Sequence, residues 1–349
     1  MSNRAEARAP TRIDLAGGTI DLWPLSLLHE DPLTVNAAID LYACASVERV
    51  ATPGVEVVSR DRGASLRVDS PGRLRLGVND AGADLEFVVR LAAHFMRPDR
   101  LSRSATRLRG YRIATDCRAP AGSGLGGSSA LGIALASCLD RFVGTRMEGE
   151  ALLSLTRAIE TQVLRIPTGE QDYHPALRGG VLALGYTVEG TRVERLPVDL
   201  AQLRDRTVLA YTGRSRSSGI SNWDVLKRHL DGETGVRDAL DRVNRAAHAM
   251  RQALRGGDWD AAGEALAEEW AARKGLSSAV TSESIDRLIE AARSAGALGG
   301  KVCGAGGGGC LVMWARAGRR SEVESRLERL GARVLDFRYV EEGVAVSES

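Results

Sequence analysis

The stretch on which the reading of this sequence turns is Ala119-Pro120-Ala121-Gly122-Ser123-Gly124-Leu125-Gly126-Gly127-Ser128-Ser129-Ala130. Glycine tolerates positive φ and lets a ligand come close to the backbone. From Ser128 to Phe142 the residues that follow are apolar at helical spacing, so the glycine run opens a helix. The first N–H groups of a helix are unpaired and its N-terminal end carries the positive pole of the dipole, which makes an anion site. Ser128 and Ser129 stand at that end, where hydroxyls cap the helix, bind phosphate or ligate Mg²⁺. A plain turn with a serine cap is the alternative, and the density of glycine argues against it. Two other phosphate-binding patterns are excluded. Gly122, Gly124 and Gly127 fit G-x-G-x-x-G, as do Gly304, Gly306 and Gly309. A dinucleotide fold needs an apolar strand just before the glycines, and Asp116-Cys117-Arg118-Ala119-Pro120 is not one. No Gly-Lys-Ser/Thr follows either run, so a Walker A loop fails as well.

Working outward, two more glycine segments flank this one. Ala9-Pro10-Thr11-Arg12-Ile13-Asp14-Leu15-Ala16-Gly17-Gly18-Thr19-Ile20-Asp21 lies near the N-terminus. Gly299-Gly300-Lys301-Val302-Cys303-Gly304-Ala305-Gly306-Gly307-Gly308-Gly309-Cys310 lies near the C-terminus. Between them, strands are expected over 6–16 (broken at Pro10), 32–50, 55–59, 65–68, 108–115 and 180–186, and helices over 84–95, 128–142 and 152–164. The second half is expected to hold strands at 207–211, 311–314 and 333–339, and helices near 235–255, 258–273, 283–295 and 319–330. Strands followed by helices, without strict alternation, imply an α+β fold. The division expected is 1–190 and 191–349, with the two halves packed tightly.

The chain has 349 residues, 44% hydrophobic and 26% charged, with a net charge of +2. This is globular composition, and the balanced charge predicts no nucleic-acid partner. The basic residues are arginine apart from Lys227, Lys274 and Lys301. Five cysteines without CxxC spacing support neither a zinc site nor a disulfide framework. Neither a signal peptide nor a membrane-length apolar run is evident, so a cytoplasmic protein is expected.

The segment Pro120-x-x-x-Gly124-Leu125-Gly126-x-Ser128-Ser129-Ala130 resembles the phosphate-binding motif of the GHMP kinases, and the other two glycine segments fall in that family's order. The resemblance runs from about residue 7 to residue 315. It implies a ribosomal-S5-like N-terminal domain joined to a ferredoxin-like C-terminal domain, with ATP and Mg²⁺ bound between them. It implies ATP contacts from Pro120, Gly122, Ser123, Gly124, Leu125, Gly126, Gly127, Ser128 and Ser129, with Mg²⁺ held by Ser129 and Glu160. Asp172, in Gly169-Glu170-Gln171-Asp172, is implied to be the catalytic base, because a neutral hydroxyl is a poor nucleophile until a carboxylate accepts its proton. Arg12 is implied to steady that base and the transferring charge. Substrate contacts are implied for Gly17, Gly18, Thr19, Asp21, Gly179, Gly180, Tyr211, Gly213, Gly306 and Gly307. Across subfamilies the pattern is nearest to D-glycero-D-manno-heptose 7-phosphate kinases, which phosphorylate an anomeric hydroxyl. A galactokinase-like enzyme, another sugar 1-kinase, an isoprenoid kinase or decarboxylase, and a non-catalytic relative are the alternatives. The partner expected is a small sugar or sugar phosphate, with no membrane, and a homodimer is allowed. Arg214 and Arg216 are candidates to clamp a substrate phosphate, or are solvent-exposed. His174 is the lesser alternative base. Trp23 and Trp223 are candidates for sugar stacking, although core burial is the commoner fate.

Overall fold

A computed structural model describes residues 3–97, 99–101, 110–213 and 219–349. In chain order the elements of the first half are β1 (Arg4–Ala16), β2 (Leu33–Val50), β3 (Gly54–Ser59), β4 (Ala64–Val68), α1 (Leu74–Gly77), α2 (Gly82–Phe95), β5 (Gly110–Cys117), α3 (Gly127–Val143), α4 (Gly149–Leu164), α5 (Tyr173–Arg178), β6 (Val181–Thr187) and β7 (Gly190–Arg195). There follow α6 (Leu200–Arg206), β8 (Thr207–Tyr211), α7 (Gly219–Leu230), α8 (Thr234–Gly256), α9 (Trp259–Arg273), α10 (Glu283–Ser294), β9 (Ala297–Val302), β10 (Cys310–Ala315), α11 (Arg320–Arg329), β11 (Arg333–Val334) and β12 (Ala345–Glu348). This is the α+β arrangement read from the sequence.

The first sheet runs β12-β1-β2-β5-β3-β4, with β6 joined to β2 and β7 to β6. Among the described residues only β3 and β5 pair in parallel. β2 is long enough to serve two neighbours in turn: Leu33–Ala37 meets β6 and Ala43–Val50 meets β5. β1 lies along both halves and shifts register between Ala9 and Thr11. Pro10, which has no N–H to donate, stands at that irregularity and bends the strand without ending it. One face carries a core built with α2, α3, α4 and α5, including Val89, Phe95, Ile133, Leu139 and Tyr173.

The second sheet is antiparallel, in the order β11-β8-β10-β9. β10, Cys310-Leu311-Val312-Met313-Trp314-Ala315, is buried at every residue because both of its faces are covered. Leu311, Met313 and Ala315 pack with Ile285, Leu288, Val323 and Leu327 of α10 and α11. Cys310, Val312 and Trp314 point the other way, into a core shared with α8, α9, β1 and β2. That second core includes Ile13, Val35, Ile39, Met250 and Leu266, so a continuous apolar layer joins the two sheets.

One expectation needs correction. The last strand is not 333–339: β11 stops at Val334, and the Arg338 and Val340 backbones instead pair with Asp40 and Ala38 of β2. Phe337 and Tyr339 are buried in the shared core as the chain crosses between sheets. β12 then adds to β1 as the true final strand. The third glycine segment begins as strand β9, where a Cβ on Gly299 would stand 2.7 Å from that of Ala267. The first two residues of the strand expected over 108–115 lie outside the described residues.

Trp314 is fully buried, and its indole N–H donates to the Trp259 carbonyl at 2.8 Å. Trp314→Ala is expected to cost about 3–5 kcal/mol, read as a lower urea midpoint at an unchanged slope.

Candidate active site

The glycine loop enters α3 through Gly126, whose φ of 69° is left-handed, and no side chain caps the helix. Ser128 and Ser129 therefore lie inside the first turn and do not cap it. The loop is held by β1: the Arg12 N–H donates to the Leu125 carbonyl at 3.0 Å, and Arg12 Nη1 donates to the Gly124 carbonyl. The rest of that buried guanidinium grips Asp172, with Nε at 2.8 Å and Nη2 at 2.6 Å from Oδ1. A Cβ at Gly126 would stand 3.2 Å from the Asp172 side chain, so loop and carboxylate are in contact. Arg12 comes from β1 and Asp172 from the residue before α5, 160 positions apart. Asp172 keeps 27% of its side chain exposed, which leaves room for a hydroxyl to approach.

A second carboxylate stands beside the first. Asp21 is buried and accepts hydrogen bonds from the Gln171 N–H at 3.1 Å and from Gln171 Nε2 at 3.3 Å. Burial, followed by the neighbouring Asp172 charge, pushes its carboxyl up to about 7. Gly169 lies so close to Asp21 that a Cβ would sit 1.9 Å from Oδ2. The amide of Asn36 reaches Gln171 Oε1 at 3.5 Å, and Asn36 Oδ1 is buried without a partner. Two carboxylates with an amide array are suited to binding several hydroxyls at once.

Ser129 donates to Glu160 Oε2 at 3.1 Å, and the Tyr173 hydroxyl donates to the same oxygen. Burial raises the Glu160 carboxyl above its usual range, opposed by hydrogen bonds from Ser128, Tyr173 and Ser129. Glu160 is thus a buried, hydrogen-bonded carboxylate and not a solvated one on a helix face. Among the described residues no group of three His, Cys, Asp or Glu side chains could hold a metal by itself. One carboxylate and one hydroxyl nonetheless match what Mg²⁺ takes from a protein when phosphates and water supply the rest.

The third segment lies directly on the glycine loop. A Cβ at Gly124 would stand 2.1 Å from the Cys303 carbonyl, and one at Gly309 2.6 Å from that of Ser123. The Cys310 N–H donates to Ser123 O at 2.7 Å. Gly306 and Gly307 rest against Val280, to whose carbonyl the Gly307 N–H donates at 2.6 Å. Thr19 lies in the turn that carries Asp21, its φ of 80° left-handed. Gly17 is packed against Leu33 and Thr34 of β2.

Other sequence candidates lie apart from this cluster. Gly179 and Gly180 sit at the far end of α5, where Cβ atoms would strike the Glu342 backbone and the Arg195 guanidinium. Tyr211 closes β8 beneath Arg333, and Gly213 follows in an exposed position. His174 is buried beside Arg178, and burial lowers its imidazole to about 4. Trp23 and Trp223 are 69% and 54% exposed, not core residues. Arg214 and Arg216 lie outside the described residues. Sequence reading missed Asn36, Tyr173 and a buried group formed by Asp14, Glu269, Arg273 and Lys301. Only Asp14 carried a signal, since residues two apart on a strand share a face, and Asp14 follows Arg12 at that spacing.

Between the ordinary carboxylate range and about 7, folded Asp21 keeps a proton that the unfolded chain has lost. Stability contributed by that proton falls as pH rises through this window. Asp21→Asn removes the dependence, so its Tm relative to the wild type is expected to be higher at pH 8 than at pH 5 by differential scanning calorimetry.

Comparison with known proteins identifies the family. The family model "GHMP kinases N terminal domain" matches residues 86–180, and "GHMP kinases C terminal" matches residues 250–333. The D-glycero-alpha-D-manno-heptose 7-phosphate kinase of Campylobacter jejuni is 26% identical over 350 residues, covering 97% of each chain. The mevalonate kinase of Thermococcus sibiricus is 25% identical, covering 99% of each. A D-glycero-D-manno-heptose 1-phosphate kinase structure from Bacteriodes thetaiotaomicron shares the fold, with a TM-score of 0.78, 23% identity and 99% of each chain covered. With both family domains matched in order around one glycine-rich site, the chain belongs to the GHMP kinases, ATP-dependent phosphotransferases that act on an alcohol group.

Proposed function

We propose that this chain is a sugar kinase that transfers the γ-phosphate of ATP to the anomeric hydroxyl of a heptose 7-phosphate or a related sugar. The observation that carries the reading is the Asp172 carboxylate, gripped by buried Arg12 against Gly126 of the glycine loop and flanked by Asp21. Asp172 accepts the proton of the attacking hydroxyl as its oxygen bonds to the γ-phosphorus, and the bond to the β-phosphate breaks to release ADP. Arg12, always charged, holds the Asp172 carboxylate in place and offsets charge on the transferring group. Asp21 and Gln171 orient the sugar through its neighbouring hydroxyls. Backbone N–H groups of Gly127, Ser128 and Ser129 receive the phosphates at the start of α3. Ser129 and Glu160 would hold Mg²⁺, which supplies positive charge to the nucleotide phosphates when bound. In this reading residues 1–190 form the ATP-binding unit and 191–349 the second unit, with the 345–348 strand returned to the first sheet.

The similarity to a heptose 7-phosphate kinase along nearly the whole chain supports the sugar acceptor. A mevalonate-type acceptor is the second reading, favoured by the similarity to the Thermococcus enzyme. The paired Asp21 and Gln171 beside Asp172 suit a polyol better.

Mg²⁺-dependent ADP release is expected with at least one free or phosphorylated sugar in a panel that also contains mevalonate. Asp172→Asn is expected to lower kcat about 10²–10⁴-fold with ATP binding unchanged. Undiminished turnover in the variant overturns Asp172 as the base, and turnover on mevalonate alone overturns the sugar acceptor. Glu160→Gln is expected to raise the Mg²⁺ concentration for half-maximal rate about tenfold, measured by Mg²⁺ titration at saturating ATP.

A further inference from the structure

Four charged side chains lie buried beneath the site, each between 0 and 1% exposed. Lys301 Nζ, from β9, is 3.1 Å from Asp14 Oδ1 and 2.8 Å from Glu269 Oε1. Arg273, the last residue of α9, places Nη2 at 2.9 Å from Glu269 Oε1 and 3.5 Å from Asp14 Oδ2. Its Nε donates to Glu269 Oε1 at 3.1 Å, and Nη1 donates to the Gly304 carbonyl. Burial favours the neutral form of Asp14, but Lys301, Arg273 and Arg12 outweigh it and hold the carboxyl below its usual range. Asp14 shares a strand face with Arg12, so one face of β1 sends an arginine to Asp172 and a carboxylate to this group.

The same guanidinium touches both glycine segments that flank the glycine loop. A Cβ at Gly18 would stand 2.0 Å from Arg273 Nη2 and 2.5 Å from Asp14 Oδ2. Gly18 lacks a positive φ, so its backbone admits alanine, and the Arg273 guanidinium and the Asp14 carboxylate together exclude a side chain there. Gly18 lies in the turn closed by Ile20 N–H to Gly17 O and Leu22 N–H to Thr19 O, the turn that presents Asp21. On the other side Gly304 abuts Gly124, with a Cβ-to-Cα distance of 3.1 Å.

We infer that Arg273 is a positioning residue for phosphoryl transfer: its guanidinium sets the Gly17–Asp21 turn and the Gly304 loop at a fixed separation, and so aligns acceptor and phosphates. The inference rests on the phosphotransferase reading and extends it to a residue that touches neither reactant. A planar fork can satisfy Glu269, Asp14 and Gly304 O together, whereas a lysine ammonium in the same place is too short and has the wrong shape. Lysine keeps the positive charge, so Asp14 and Glu269 remain compensated and the fold survives the exchange.

The test compares wild type, Arg273→Lys, Gly18→Ala and the double variant by hydrogen exchange and steady-state kinetics. In Arg273→Lys, exchange is expected to accelerate at least tenfold in peptides covering 15–22 and 302–310, with helix 127–143 unchanged. The KM for the acceptor is expected to rise about tenfold, with the KM for ATP within twofold of wild type. Gly18→Ala crowds the guanidinium and gives the same local signature. The double variant loses less than the product of the two single losses, because the shorter lysine relieves the closer of the two contacts at Gly18 and leaves that with Asp14. Unchanged exchange in both peptides, equal acceleration throughout the chain, or multiplicative losses in the double variant would overturn the inference. If wild type phosphorylates no sugar in the panel, the acceptor proposal fails, and the exchange pattern still decides the role of Arg273. Should Arg273→Lys prove too unstable to purify, Gly18→Ala alone must show the local acceleration, and its absence rejects the inference.

Discussion

The site depends on one buried guanidinium. Arg12 joins three things that are far apart in sequence: its own strand β1, the carbonyl of Gly124 in the glycine loop, and the carboxylate of Asp172. A buried arginine must be paired on every side or it destabilises the fold, so its position constrains loop and carboxylate alike. Both partners are thereby brought to one place, where the proposed reaction has the loop receive phosphate and the carboxylate accept a hydroxyl proton.

Around that point the backbone is packed more closely than side chains allow. Gly124 meets Cys303, Gly309 meets Ser123, Gly126 meets Asp172, and Gly18 meets Arg273. Three stretches that look alike in sequence thus have different duties. The middle one opens helix α3, the third presses its backbone against that loop, and the turn of the first is shaped by a buried arginine. The division of labour follows from which neighbour each glycine touches.

Much of this was legible in the residues. The α+β class, the glycine loop before α3 and the long alternating β2 follow from period and composition, which report local structure well. Arg12, Asp172, Ser129 and Glu160 were named through the resemblance, and the structure brings them together in two adjoining pairs. The rest is tertiary and leaves little local trace. Glu269 and Arg273 read as an ordinary i, i+4 surface pair on a helix, and nothing in α9 marks them as buried. Gly179 and Gly180 look like site glycines in sequence, yet their backbone is shaped by Glu342 and Arg195, contacts that no local pattern discloses. The same holds for the 333–339 segment, whose alternation suits a strand although Phe337 and Tyr339 are needed between the sheets.

The most direct test of the central claim is the product itself, followed by ³¹P NMR as the protein is incubated with ATP, Mg²⁺ and each candidate sugar. Transfer to an anomeric hydroxyl gives a new phosphomonoester resonance split by the anomeric proton, growing in step with ADP. Inorganic phosphate as the sole product, or a phosphomonoester formed only with mevalonate, would contradict it.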